Sequence, residues 1–230
     1  MMFRRHDLGV GLLLLAALAV GCNDASGNKD ITSIRVINAS PNGPLITALL
    51  NGAVIEASIP YGTTQGYQLV DEDGTTIQLR DAQTNATLFN QDVSLEHERF
   101  YTEIATGFLV NIGSLFVEDA HDAPPAGTAE FRFIQVAPSM PAVDVYVTDA
   151  NTDINTVAPT IVNVAFNSSS AYVQVAPATY RVRATSAGTK SVLLDVSNVA
   201  LPALAIRSML SLDKAGGGTP FSSLLLVDMN

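Results

Sequence analysis

The chain has 230 residues, 12 Lys and Arg against 22 Asp and Glu, a formal net charge of −10, one Cys and no Trp. A single Cys rules out an intrachain disulfide framework and a Cys-based zinc site. The excess of acids leaves no surplus of cations to neutralise a nucleic-acid backbone. With 47% apolar and 15% charged residues the chain is too hydrophobic to be mainly disordered, and it lacks the long heptad pattern of a coiled coil.

Residues 1–21 read as a targeting segment. Arg4 and Arg5 make a basic start, and Val10 to Val20 is an apolar run. That run is too short to cross ~30 Å of hydrocarbon, which takes about 20 helical residues; it fits the apolar region of a secretory signal. Leu18-Ala19-Val20-Gly21-Cys22 resembles a bacterial lipobox. The resemblance implies cleavage before Cys22, a diacylglycerol on its sulfur and an acyl chain such as palmitate on its amine. One acyl chain holds a protein only marginally, whereas two or more anchor it stably. The expectation is an extracytoplasmic protein tethered to the membrane through acyl chains on Cys22. Asn23, rather than Asp, leans by resemblance to enterobacterial sorting toward the outer membrane of a cell that has one. Loss of Arg4, Arg5 and Asp7 with the signal would leave the mature chain one unit more acidic.

Residues 22–30 are small and polar, a flexible tether. Folded sequence is expected over 31–120 and 129–230, with a linker rich in Pro and Gly at 121–128. The two segments are alike. Arg35 and Pro41 align with Arg132 and Pro138, Tyr61 and Tyr67 with Phe166 and Tyr172, and Ser114–Asp119 with Ser223–Asp228. The spacing implies eight extra residues in the second copy. Such self-similarity is a tandem duplication. Tyr67 and Leu69, Ile77 and Leu79, Tyr172 and Val173, and Tyr180 and Val182 stand among polar neighbours in period-two runs, as in strands with one buried face. Strands are expected near 32–38, 45–50, 65–70, 75–80, 86–93, 99–106 and 114–119, with equivalents in the second copy; residues 199–212 also pass for a short helix. The fold class is all-β, two tandem antiparallel sandwiches.

Arg35 to Pro41, Arg132 to Pro138, and Pro141-Ala142-Val143-Asp144-Val145-Tyr146-Val147 resemble the family named domain of unknown function 4397. The resemblance covers nearly all of 31–229. It implies an immunoglobulin-like or transthyretin-like sandwich and no particular activity. Asn38 and Gln135 stand where members of that family often carry His, and the first copy lacks the Asp and Tyr of the Val143–Val147 pattern.

The polar clusters decide the functional expectation. Asp149, Asn151 and Asp153 place side-chain oxygens at alternate positions in the inserted residues, as a loop holding Ca²⁺ would; the competing reading is a hairpin tip of turn formers. Asp71-Glu72-Asp73-Gly74 reads as an acidic turn. In Glu96-His97-Glu98 an extended backbone would point His97 away from both acids. Beyond His6 in the signal the chain has His97 and His121, no Gly-x-Ser-x-Gly elbow and no phosphate loop. Arg35 and Arg132 are each expected to pair with an acid of their own domain or to line a sheet edge. Tyr67 and Tyr172 are expected in core and interface packing. The expected function is a lipid-anchored, non-enzymatic binding or structural module with an unknown protein or glycan partner. The alternatives are a Ca²⁺-dependent adhesive module and, more remotely, an envelope hydrolase.

Overall fold

The computed structural model describes residues 31–119 and 122–228. Cys22, the signal, the tether and His121 lie outside them. The first half forms eight strands: β1 (Ile31–Asn38), β2 (Ile46–Leu50), β3 (Ala53–Ile59), β4 (Gln68–Asp71), β5 (Thr76–Asp81), β6 (Thr87–Asp92), β7 (Phe100–Thr106) and β8 (Gly113–Asp119). The second half continues with β9 (Ala129–Gln135), β10 (Val143–Thr148), β11 (Ile161–Val164), β12 (Ser168–Ser169), β13 (Val173–Val175), β14 (Ala178–Ser186), β15 (Val192–Leu201), β16 (Ile206–Leu212) and β17 (Ser222–Val227). Residues 199–212 are therefore the end of β15, a turn and β16, not a helix. Pro202 stops β15, and a turn closed by Ala205 N–H on the Pro202 carbonyl at 3.0 Å starts β16.

Four sheets result. β3-β2-β5-β6 and β4-β1-β7-β8 build the first half, β12-β9-β16-β17 and β11-β10-β14-β15 the second, with β13 also on β9. The same order recurs in both halves. In each, one pair breaks the antiparallel pattern: β1 with β7 and β9 with β16 run parallel. Both pairs join strands far apart in sequence, where no hairpin dictates direction.

Alternation along the strands assigns each face. Ile34 and Val36 of β1 join Ile46, Ala48, Ile77 and Leu79 of the facing sheet in one core. Phe131 and Phe133 of β9 do the same with Val143, Val145, Val182 and Ala184. The opposite faces of β1, β7, β9 and β16 carry Ile37, Ile104, Ile134 and Leu210, which form a third core between the halves. The chain is thus a stack of four sheets, and these four strands, in the two middle layers, are covered on both sides. Each fully buried aliphatic contributes roughly 1.5–3 kcal/mol. The third core therefore gives the two halves a strong reason to dock.

Candidate functional site

The face of β1 that carries Ile37 also carries Arg35, and the matching face of β9 carries Arg132. Both guanidinium groups are 2–3% exposed, and a buried charge persists only where it is paired. Arg35 Nε donates to Thr102 Oγ1 at 2.7 Å, and Nη1 donates to the Val227 carbonyl at 3.0 Å. Its Nη2 is paired with Asp228 and lies 3.5 Å from Asp119. Arg132 repeats the arrangement: Nε donates to Ser208 Oγ at 2.6 Å, Nη1 to the Glu118 carbonyl at 3.0 Å, and Nη2 to Asp119.

The closest acid of each Arg thus belongs to the other half, which corrects the expected pairing inside one domain. The reason is geometric. Asp119 ends the last strand of the first half and Asp228 follows that of the second; the face they border is covered by the other half, so the Arg nearest each crosses the interface. Each carboxylate is then finished from its own half. Asp119 Oδ2 accepts from Tyr67 Oη and Thr102 Oγ1, both at 2.6 Å. Asp228 Oδ2 accepts from Tyr172 Oη at 2.8 Å and Ser208 Oγ at 2.6 Å. Each guanidinium also lies over the ring of the Tyr in its own half, at 4.6 Å from the centroid. Tyr67 and Tyr172 pack at this interface, as their repetition implied.

Burial pushes both tyrosine hydroxyls far above their ordinary value; the neighbouring Asp119 adds to the rise at Tyr67 and Asp228 at Tyr172. Burial alone would lower the Arg35 pKa, but Asp119 and Asp228 outweigh it and hold the group charged.

Further hydrogen bonds join the halves outside the clasp. Tyr61 Oη donates to the Asp213 carbonyl at 2.7 Å, Thr106 Oγ1 donates to Asn167 Oδ1 at 2.9 Å, and Gly216 N–H donates to the Pro41 carbonyl at 2.7 Å. Gly217 has φ of +104° and a Cβ there would lie 2.6 Å from the Phe108 ring, so this contact requires glycine. Asn38 and Gln135 are fully buried and pin the turn after their strands. Asn38 Nδ2 donates to the Pro44 and Ile59 carbonyls, and Gln135 Nε2 to that of Met140, while each amide oxygen accepts a backbone N–H two residues on.

The inserted loop after β10 is held by the protein's own cations. Arg181 donates to the Ala150 carbonyl at 3.2 Å, Arg183 to Thr152 at 2.9 Å, and Lys190 to Ile154 at 2.6 Å and Val157 at 2.8 Å. Asp153 Oδ1 caps its own turn, accepting from Asn155 N at 2.9 Å and Nδ2 at 2.8 Å. Asp149 opens the preceding turn, its carbonyl accepting from Thr152 N–H at 3.2 Å. Among the described residues no three His, Cys, Asp or Glu side chains gather as a metal-ligand group. Glu98 has φ of +55°, so the backbone at His97 is turned rather than extended, and the imidazole lies 3.5 Å from Glu98 and 3.6 Å from Glu72.

The sequence reading missed Asp119 and Asp228 as partners of the two arginines. The signal was present: both halves end on the same acid, and both carry the same Arg and Tyr.

The described residues thus form a tandem β-sandwich protein whose two stacked halves are closed by a reciprocal ionic clasp. The model of the family described as domain of unknown function 4397 matches residues 32–146, and the chain belongs to that family. The match runs through the first half and on into β10. Among solved structures the chain is similar to a family 26 carbohydrate-binding module of Eubacterium rectale Amy13K in complex with maltoheptaose, at 12% identity over 85% of this chain and 96% of that one, with a TM-score of 0.27. No curated protein matches the chain.

Proposed function

We propose that this protein is a lipid-anchored component of the cell envelope that acts as a non-enzymatic binding or structural module. In this reading Cys22 carries the acyl chains, the protein lies outside the cytoplasm, on the outer membrane of a cell that has one, and its two halves form one rigid platform that presents loops and strand edges to a protein or glycan partner. The observation that carries it is the clasp. The Arg, Asp and Tyr residues that recur in both halves hold the halves together. Both carboxylates are matched by guanidinium groups and both tyrosines are held neutral, which leaves this cluster without a free base or nucleophile. A recurring polar set of this kind serves geometry: truncating a buried pair is costly, while keeping it fixes the register of the two surfaces.

The anchor is tested directly. The full chain, expressed with its signal in a Gram-negative host fed labelled palmitate, is expected to take up label and to partition with the envelope. Cys22→Ala is expected to lose both. Label that persists in Cys22→Ala overturns the anchor.

A further inference from the structure

We propose that the opening between β3 and β4 takes an extended polypeptide segment as an added strand, one that carries aliphatic side chains and Lys or Arg; this deepens, and rests on, the reading of the chain as a binding module. β3 and β4 are the outermost strands of their sheets, each laddered to one neighbour. They stand at the same end of the first sandwich, so two strand edges border one opening of about 540 Å³. An outermost strand presents backbone donors and acceptors that a further strand can match.

The side chains specify what that strand carries. Val54, Ile55, Leu69 and Val70 line the opening. Val54 is 59% and Leu69 72% exposed, on edges that proteins usually blunt with Lys or Pro. Among the described residues the charged ones lining the opening are Asp71 and Asp73, so the complement is cationic. Among the described residues no aromatic ring lines the opening, which disfavours a sugar, whose faces stack on rings. A second copy of this edge would bring acid against acid on a chain of net charge −10. The corresponding opening of the second half, bordered by β11, β12 and β13, measures about 290 Å³ and is lined by Asn163, Ser168, Ser169 and Ser170 rather than acids. The proposed segment therefore selects the first half.

The test is fluorescence anisotropy of a fluorescein-labelled decapeptide of alternating Val and Lys, titrated with the full chain in uncharged detergent micelles. Saturable binding is expected. It should weaken about tenfold or more in the exposed double variant Asp71→Lys, Asp73→Lys, which should still unfold cooperatively. It should weaken comparably when alternate peptide bonds of the probe are N-methylated, since these can no longer donate to a strand edge. Val162→Lys in the second half should bind as the parent does. No binding, binding indifferent to N-methylation, or binding indifferent to the acid substitutions overturns the proposal. None of these outcomes bears on palmitate uptake at Cys22, so this proposal and the anchor can fail separately.

Discussion

At matching positions the two halves bury different things. Thr102 and Ser208 do the same work for Arg35 and Arg132, which sets the register of β7 against β16. The next residue is Glu103 in the first half and Met209 in the second, both fully buried. On the facing sheet, Ala48 pairs with Glu56 where Val145 pairs with Ile161. The first half thus holds two carboxyls inside its sandwich where the second holds aliphatic and thioether side chains. Glu103 Oε2 accepts from Gln91 Nε2 at 2.8 Å, and its Oε1 is buried from water. Burial pushes its pKa up to about 7, with Gln91 and Ser114 opposing the rise. Glu56 is also raised by burial, against the pull of backbone N–H groups including that of Val36. An ionised carboxylate in such a place costs stability that an aliphatic group does not. The first half therefore carries buried carboxyls whose contribution to stability falls as the pH rises, which the matching positions of the second half lack.

The largest expected effect concerns what the halves share. Arg35→Met takes from buried Asp228 its nearest cation, and Arg132→Met leaves buried Asp119 only Arg35, 3.5 Å away; each costs about 3–5 kcal/mol. Because the nearest partners of the two arginines repeat, the two variants should lower the urea midpoint by similar amounts. A loss at one site several times the loss at the other would break the equivalence of the halves at the clasp.

The next effect separates the halves. A carboxyl with a folded pKa near 7 and an ordinary unfolded value binds its proton more tightly when folded. Its contribution is therefore fully present below about pH 4.5 and is lost as the pH rises through 7. Glu103→Met, which copies the second half, should raise stability at pH 8 by something on the order of 2–3 kcal/mol and flatten the fall in urea midpoint between pH 4.5 and 8. If the parent and the variant keep the same slope across that window, the carboxyl does not titrate where its burial places it.

Much of this arrangement was open to a reader of the sequence. Period-two runs placed most strands, and repeated landmarks such as Arg35 and Arg132 marked the duplicated order. The four-layer stack was not legible. β1 mixes Arg35 and Asn38 with Ile34, Val36 and Ile37, and such a mixture reads as one polar face and one apolar face. It is buried on both because Arg35 finds Asp228, 193 residues away, across the interface. Long-range pairing of this kind leaves no local pattern. Glu103 was hidden for the same reason: in a strand reading Phe-Tyr-Thr-Glu-Ile-Ala-Thr an acid suggests the solvent side, and only the packed β6 edge with Gln91 encloses it. The loop with Asp149, Asn151 and Asp153 had a composition suited to a cation, but composition did not reveal that Arg181, Arg183 and Lys190 would converge on its carbonyls.

The smallest effect tests why Glu56 is inside at all. β4 pairs with β1 only as far as Ile34, so the Val36 N–H on that edge meets no strand, and Glu56 Oε1 accepts from it at 3.1 Å. In the second half β12 and β13 bracket the equivalent Phe133, and Ser170 supplies its partner, Oγ accepting from Phe133 N–H at 3.0 Å. Glu56 is thus a side chain from the opposite sheet standing in for a missing stretch of strand. A buried N–H left bare costs about 1–3 kcal/mol, but removing the acid also relieves the cost of burying its charge. Glu56→Ala should therefore destabilise by about 1–2 kcal/mol at pH 4, where the carboxyl is neutral, and by less at pH 8. Glu56→Gln keeps an acceptor for Val36 and removes the charge, so it should match the parent at pH 4 and exceed it at pH 8. Urea titrations of both variants at the two pH values check this. If Glu56→Ala and Glu56→Gln behave alike at pH 4, the Val36 bond is not what keeps an acid inside the first half.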